Sequence, residues 1–254
     1  MSAGRTGRRM RGVIVVVPAR DEEDELPGCL GALHAACGRL AMRGVATNIV
    51  VTADRCLDRT ATIARALGAD VVECDAGAAG AARAAGFAEA LGRSRLDPAD
   101  VWLVTTDADS RVPTDWLTRQ LSWAARGWDA VAGTVRVADW SAHPPGSAAA
   151  FTARYDSWTG RSPHVHGANL GCSADAYLEV GGFPPLVVGE DRALVDALEA
   201  AGRRVLRTSA LRVLTSARLD CRAPGGFGHD LREQALTLEA APATRPRSLP
   251  GPGR

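Results

Sequence analysis

The sequence contains no lysine, so all thirty of its basic side chains are arginines. A chain without lysine has no Walker A phosphate loop, no pyridoxal-phosphate Schiff base and no lysine nucleophile. It also lacks the lysine that glucose-1-phosphate nucleotidyltransferases use, which disfavours that class. No G-x-G-x-x-G motif follows the first apolar run, so the fingerprint of dinucleotide-binding oxidoreductases is missing as well.

An excess of charge, paired cysteines and long apolar runs are also missing. Thirty basic and twenty-nine acidic side chains leave a formal charge of +1, so we expect no nucleic-acid partner. The six cysteines form no C-x-x-C pair, and we expect neither a zinc site nor a disulfide. No apolar run reaches the ~20 residues that a membrane helix needs. We therefore predict a cytoplasmic protein without a transmembrane segment.

Apolar β-branched runs alternate with amphipathic stretches in the first half of the chain. Each run is short enough for a buried strand, and each of the first four leads into a helical pattern, the last of these opened by Pro113. The repeated β-α order with short connections predicts an α/β fold in which helices flank a mostly parallel sheet. The predicted strands are residues 13–17, 48–52, 69–74, 101–107, 129–137 and 165–173.

Two aspartates, Asp107 and Asp109, end the fourth predicted strand. In an extended segment residues i and i+2 face the same side, so both carboxylates can address one divalent cation. Hard oxygen ligands favour Mg²⁺ or Mn²⁺, which commonly bridges a diphosphate. The alternative is that the two aspartates cap the following helix. Ligands of open α/β sheets bind beside the carboxyl ends of the strands, and this position favours the metal site.

Charged residues also leave the other predicted strands. Glu22 follows the first strand, Asp54 the second and Arg83 the third. Each of them alone would be an ordinary residue of a helix end. Because the carboxyl ends of parallel strands meet at one edge of a sheet, we interpret the set as a nucleotide pocket.

Short motifs contain these residues and continue downstream. Residues 18–22 read P-A-R-D-E, residues 53–60 read A-D-R-C-L-D-R-T, and Arg83 lies in A-A-R-A-A-G. Three further motifs are G-A-N at 167–169, G-G-F at 181–183 and E-D-R-A-L at 190–194.

This series resembles the motifs of the family 2 glycosyltransferases: P-x-x-N-E, D-D-G-S-x-D-x-T, A-R-N-x-G, D-x-D, G-A-N, G-G-F and E-D-x-x-L. The resemblance covers about residues 12–230, and its specificity lies in the order and spacing of the motifs. The chain departs from the family pattern at Asp21, Ala53, Arg55, Cys56 and Ala84.

The resemblance implies the GT-A fold, a Rossmann-like mixed sheet that is mostly parallel and flanked by helices. One such domain would cover residues 12–238, with a nucleotide-binding half (12–109) and an acceptor half (110–238). We expect a basic extension at residues 1–11 and a disordered tail at 239–254, where Pro, Ala, Arg and Gly dominate.

The resemblance further implies inverting transfer of a sugar from a nucleoside-diphosphate sugar to a hydroxyl acceptor that the residues do not identify. A UDP-sugar is the favoured donor, and Mn²⁺ or Mg²⁺ is the implied cofactor, with Asp109 as its ligand. His229 is a further candidate ligand near the C-terminus. The residues implied for nucleotide-sugar binding are Pro18, Arg20, Glu22, Asp54, Arg83 and Asp107.

Asp191 occupies the family position of the catalytic base, with Glu190 beside it. The apolar residues that follow place Asp191 in the first turn of a helix, where the helix dipole favours an ionised carboxylate that can accept a proton. The alternative is that both acids only stabilise the helix end. Arg218 and Arg222 could bind a diphosphate or an anionic acceptor, or could be plain surface residues.

Two other functions compete with glycosyl transfer. A non-catalytic nucleotide-sugar-binding module would have no need of Asp191 alongside Asp107 and Asp109. A nucleotidyltransferase on a similar fold would ordinarily need the missing lysine. The Q-x-x-R-W motif and membrane helices of processive polysaccharide synthases are not found in the sequence, which favours transfer of single sugars.

Overall fold

The computed structural model describes residues 9–137, 139–156 and 165–218, together with Leu231 and Leu236. Seven strands form one sheet that runs through both predicted halves of the chain. The strands are β1 (Gly12–Ala19), β2 (Ala46–Asp54), β3 (Asp70–Cys74), β4 (Val101–Thr105), β5 (Ala130–Val137), β6 (Leu170–Ser173) and β7 (Val205–Thr215).

Helices cover both faces of this sheet. No helix of the described residues is long and apolar enough to cross a bilayer. Short 3-10 turns occupy Pro98–Asp100 and Gly167–Asn169. The helices are α1 (Leu26–Ala41), α2 (Thr60–Ala66), α3 (Ala79–Arg93), α4 (Trp116–Ala124), α5 (Ser147–Asp156), α6 (Ala174–Glu179) and α7 (Glu190–Ala200).

The sheet is mixed and mostly parallel, with the strand order β3-β2-β1-β4-β6-β5-β7. Strands β1 to β4 are parallel to one another, as the repeated β-α order predicts. Strand β6 lies antiparallel between β4 and β5, whereas β7 is parallel to β5. The predicted architecture is thus confirmed, and the carboxyl ends of β1, β2 and β4 share one edge.

Burial on both faces explains why the apolar run of β1 is continuous. Val13, Val15 and Val17 pack on the face covered by α1, α2 and α4. Ile14 and Val16 pack on the opposite face, which α3, α6 and α7 cover. A strand that is buried on both faces needs apolar side chains at every position, because successive side chains point to opposite faces.

Proline does not end β1, because the strand continues through Pro18 to Ala19. Pairing with β4 stops at Val16, while pairing with β2 continues. The carbonyl of Val16 accepts a hydrogen bond from Thr106 on the β4 side, and Pro18 faces the same side two residues later. The missing N–H of Pro18 therefore falls beyond the paired part of β4.

Two predicted boundaries were wrong. Strand β4 ends at Thr105, and Asp107 lies in a turn that Ser110 closes by donating its N–H to the Asp107 carbonyl (3.0 Å). Pairing of β4 with both of its neighbours stops at Thr105, and after the Thr106 hydrogen bond to Val16 the chain turns. Helix α4 begins at Trp116 instead of Pro113, because residues 113–115 form a separate turn.

Candidate active site

A buried arginine connects the two halves of the chain at the sheet edge. Arg83 of α3 donates hydrogen bonds to Asp107 beyond β4 (2.6 Å) and to Thr105 (3.2 Å). Its remaining terminal nitrogen binds Glu190, the first residue of α7. The arginine is 4% exposed, and a buried cation of this kind is tolerated because carboxylates surround it. The two carboxylates raise the pKa of Arg83 although burial acts in the opposite direction.

Small residues and an aromatic ring make room for Arg83. A β-carbon at Gly167 would overlap the guanidinium of Arg83, and one at Gly80 would overlap the Glu190 side chain. The Phe183 ring, which follows the two glycines of the G-G-F motif, lies 5.8 Å from the guanidinium carbon. Three of the motifs therefore shape the surroundings of one ion-paired arginine.

Asp191 lies in the first turn of α7, as predicted. Its Oδ2 accepts a hydrogen bond from the Gly167 N–H (2.9 Å), and its Oδ1 accepts one from Arg192 N–H (2.7 Å). Burial raises the pKa of Asp191, and the nearby Arg83 lowers it only in part. Each oxygen of a carboxylate has two lone pairs, so each retains one acceptor position beyond these bonds.

Glu190 differs from its neighbour because it is committed to Arg83. It is buried, and burial raises its pKa while Arg83 acts against that effect. Its carboxylate holds the guanidinium, which in turn holds Asp107. In this geometry the Glu190 carboxylate is bound to Arg83, whereas the Asp191 carboxylate keeps acceptor positions.

Asp109 lies in the turn after β4, and long contacts reach both of its oxygens. Thr215 Oγ1 is 3.5 Å from Oδ1, and an Arg218 nitrogen is 3.5 Å from Oδ2. Burial and the charge of Asp107 raise the pKa of Asp109 to about 7. A carboxylate that is largely buried beside another negative charge is suited to bind a cation.

The donor set at this turn fits a divalent cation. Mg²⁺ is usually held by one or two carboxylates together with water and substrate phosphates, and Mn²⁺ accepts the same hard oxygen ligands. Asp109 and Asp107 provide such oxygens beside the predicted diphosphate position. Among the described residues, the three-ligand grouping within 4.8 Å is Asp21, Cys56 and Asp58, which is a different place.

That second group holds two loops together. Asp21 Oδ1 accepts the N–H groups of Leu57 (2.7 Å) and Asp58 (3.3 Å), and Asp58 accepts the N–H of Glu23 (3.0 Å). Asp21 has a positive φ of 52°, which Asn and Asp tolerate better than most residues. The loop after β1 and the loop after β2 therefore cap each other, and the asparagine-to-aspartate departure keeps this role.

Asp54 stabilises the loop beyond β3. Its Oδ1 accepts hydrogen bonds from the N–H groups of Ala76 (2.8 Å) and Gly77 (3.0 Å). The next residue, Arg55, has a φ of 54° at the position where the family motif has glycine, and it forms an ion pair with Asp75. The departure places a side chain in a strained backbone conformation at the predicted nucleoside end.

The predicted site residues fall into three groups. Arg83, Asp107, Glu190 and Asp191 meet in one network. Asp109 and Glu22 meet through Arg218, a residue whose role the sequence left open. Pro18 lies in β1, Arg20 is exposed just after it, and Asp54 holds its own loop. The predicted ligand His229, like Arg222, lies outside the described residues.

The sequence did not predict the contact between α5 and His166. The Tyr155 hydroxyl of α5 lies 3.0 Å from His166 Nε2, and the two rings stack with centroids 5.9 Å apart. His166 directly precedes Gly167, which binds the Asp191 carboxylate. The only signal was the histidine next to G-A-N, because α5 itself has no recognisable pattern.

Comparison with known proteins agrees with this geometry. Residues 14–181, more than half of the chain, match the family Glycosyl transferase family 2. The chain therefore belongs to glycosyl transferase family 2, a family of transferases. The earlier resemblance is confirmed, and with it the enzyme class. No curated protein sequence matches the chain.

Solved structures of glycosyltransferases have the same fold. The mannosyltransferase PcManGT from Pyrobaculum calidifontis, in complex with GDP-Man and Mn²⁺, is 18% identical with a TM-score of 0.61. The similarity covers 92% of this chain and 64% of PcManGT, so the chain spans less than two thirds of that protein. Glucosyl-3-phosphoglycerate synthase from Mycobacterium tuberculosis, with Mn²⁺, UDP and phosphoglyceric acid, is 17% identical with a TM-score of 0.55. That similarity covers 92% of this chain and 80% of the synthase.

A third similar structure is TarS 1-349 from S. aureus, with 13% identity and a TM-score of 0.58. Here the similarity covers 89% of this chain and 71% of TarS 1-349. At sequence identities this low, the structural similarity establishes the shared GT-A fold.

Proposed function

We propose that the chain is an inverting, metal-dependent glycosyltransferase that moves a single sugar from a nucleoside-diphosphate sugar to a hydroxyl acceptor. The observation that carries the proposal is the buried ion-pair network of Arg83, Asp107 and Glu190. This network holds Asp107, the carboxylate predicted to contact the donor, beside the start of α7, where Asp191 lies. Membership of glycosyl transferase family 2 supports the same reaction class.

The donor would lie along the sheet edge. Asp54, Glu22 and Arg20 would face the nucleoside end, and Asp107 the ribose and sugar. A Mn²⁺ or Mg²⁺ ion held at Asp109 would supply positive charge to the departing diphosphate. The Mn²⁺ in two similar structures supports a divalent ion. Those structures contain GDP-Man and UDP respectively, and we keep a UDP-sugar as the favoured donor.

Asp191 would act as the general base. An acceptor hydroxyl would give its proton to a free lone pair of Asp191, while its oxygen bonds to the anomeric carbon. The bond from that carbon to the diphosphate breaks at the same time, and its electron pair leaves with the diphosphate. A single displacement of this kind inverts the configuration at the anomeric carbon.

Replacement of Asp191 tests the assignment. Asp191→Asn keeps the shape but removes the proton acceptor, so transfer should fall by about 10² to 10⁴ while donor affinity changes little. Calorimetry with UDP plus Mn²⁺ measures affinity, and release of UDP from UDP-sugars measures turnover until an acceptor is identified. Asp196→Asn is the matched control, because Asp196 is an exposed aspartate on the same helix.

The outcomes separate the competing functions. Full transfer by Asp191→Asn to an identified acceptor would place the base elsewhere. A wild-type chain that binds donors without turning any over would instead be a binding module.

The described cysteines are free thiols, which supports the predicted cytoplasmic location.

A further inference from the structure

Arg218 follows β7 and reaches back across the chain to the loop after β1. Its two terminal nitrogens bind the two carboxylate oxygens of Glu22, one of them at 2.7 Å. Glu22 is 6% exposed, whereas a quarter of the Arg218 side chain remains exposed. The arginine therefore neutralises a buried carboxylate from a position that is still open to solvent.

The same guanidinium also touches the predicted metal ligand. One Arg218 nitrogen that binds Glu22 lies 3.5 Å from Asp109 Oδ2. Asp109 is otherwise near the negative charges of Asp107, Glu22 and Glu25, and Arg218 is the cation in contact with it. In the described part of the chain, Arg218 thus stands where a bound cation would neutralise Asp109.

We infer that Arg218 is an exchangeable internal counter-ion, which pairs with Asp109 and Glu22 in the metal-free protein and gives up Asp109 when a divalent cation binds. The inference rests on the proposed function. Two positive groups against one carboxylate oxygen repel each other, so the cation and the guanidinium compete for Asp109. A released guanidinium beside the cation matches the geometry of a diphosphate, which a chain without lysine must neutralise with arginine.

This exchange predicts effects of opposite sign from one substitution. Arg218→Gln removes the competitor, so Mn²⁺ alone should bind more tightly. The same substitution removes a diphosphate partner, so UDP in the presence of saturating Mn²⁺ should bind more weakly. If Arg218 had a purely structural role, its substitution would lower the affinity for Mn²⁺ and for UDP together.

In the first experiment the protein is titrated with Mn²⁺ alone, and electron paramagnetic resonance measures the free ion. In the second, the protein is titrated with UDP at saturating Mn²⁺, and calorimetry measures the UDP affinity. For Arg218→Gln we expect Mn²⁺ affinity to rise roughly 5-fold or more, the lower end of typical coupling between sites. UDP affinity should fall by a similar factor. Arg218→Lys keeps the charge and should leave Mn²⁺ affinity near that of the wild type.

Arg111→Gln is the matched control for charge, because Arg111 lies in the same region but pairs with Glu25 (2.8 Å). Equal Mn²⁺ affinity in wild type and Arg218→Gln would overturn the inference, as would an equal gain in Arg111→Gln. Should Arg218→Gln fail to fold, the same comparison is made between Glu22→Gln and Glu22→Gln/Arg218→Gln, where no buried charge is left at position 22. Wild-type protein that binds Mn²⁺ but no nucleoside diphosphate would overturn the proposed function, while the Mn²⁺ comparison still decides the role of Arg218.

Discussion

At the scale of single residues, Arg83 determines whether the site exists as one unit. Three hydrogen-bond partners hold its guanidinium, and two of them are carboxylates from segments that are far apart in the sequence. Removing a buried charge that neutralises others leaves them uncompensated, which is more damaging than removing a surface ion pair. The site and the stability of the fold therefore depend on the same side chain.

Replacement of Arg83 should lower both stability and nucleotide binding. We expect Arg83→Met to reduce the free energy of unfolding by about 3 to 5 kcal/mol, because Asp107 and Glu190 lose their shared partner. Denaturant unfolding measures this loss, and calorimetry with UDP measures the loss of binding. Arg119→Gln breaks an exposed pair and should change stability by at most about 1 kcal/mol. Equal stability of the two variants would show that the buried network contributes nothing to folding.

The charged residues of the site were predictable from sequence, whereas their pairings were not. Asp107, Arg83 and Glu190 could be assigned to one edge because each follows a strand or begins a helix. Their ion pairs depend on how closely α3 and α7 approach, and that approach depends on glycines whose contacts come from distant segments. The exchange of Asp109 between a cation and Arg218 likewise depends on where the chain returns after β7.

At the scale of elements, the G-A-N asparagine has a structural role. Asn169 is fully buried and makes three hydrogen bonds, accepting from Trp116 Nε1 (2.9 Å) and donating to the carbonyls of Thr134 (2.9 Å) and Leu211 (3.0 Å). The last two contacts lie at the register shift between β5 and β7. Asn169 therefore ties α4 to two strands and fixes the irregular end of the sheet.

Loss of the Asn169 side chain should destabilise the fold. We expect Asn169→Ala to lower the free energy of unfolding by about 2 to 4 kcal/mol, because a buried indole N–H and two carbonyls lose their partner. Asn48→Ala is the control, since Asn48 makes a single exposed hydrogen bond to Asp70 and should cost below about 1 kcal/mol. At a temperature where Asn169→Ala is folded, UDP affinity should be unchanged. A selective loss of UDP affinity without loss of stability would contradict the structural role.

The elements that sequence patterns predicted are those with a strong apolar repeat. Strands β1 to β6 and helix α7 were all anticipated, because each has a short apolar run or one clear apolar helix face. Helix α5 and strand β7 were not predicted. The apolar residues of α5 are mostly alanines, and β7 is an edge strand whose pattern breaks at its register shift. Such elements depend on tertiary contacts more than on local sequence.

At the scale of the whole molecule, the carboxylates at the sheet edge favour function at the expense of stability. Burial and Asp107 raise the pKa of Asp109 to about 7, far above its ordinary value of 3.8. Between these two values the folded state holds a proton that the unfolded chain releases. Stability contributed by this proton is full below pH 3.8 and is lost as the pH rises to about 7.

Asp109→Asn should therefore stabilise the metal-free protein in a pH-dependent manner. The amide cannot ionise, so the advantage over wild type should be small near pH 4, grow as the pH rises and stay constant above about pH 7. Each 1 kcal/mol gained raises Tm by roughly 2 to 4 °C in a domain of this size. Thermal unfolding at pH 4.5, 6 and 8 in the presence of a chelator measures the effect, with Asp196→Asn as the exposed control.

Without the chelator, Mn²⁺ plus UDP should raise the Tm of wild type but not that of Asp109→Asn. A Tm difference that does not vary with pH would mean that Asp109 is ionised throughout this range, and that its burial carries no energetic penalty for a cation to relieve.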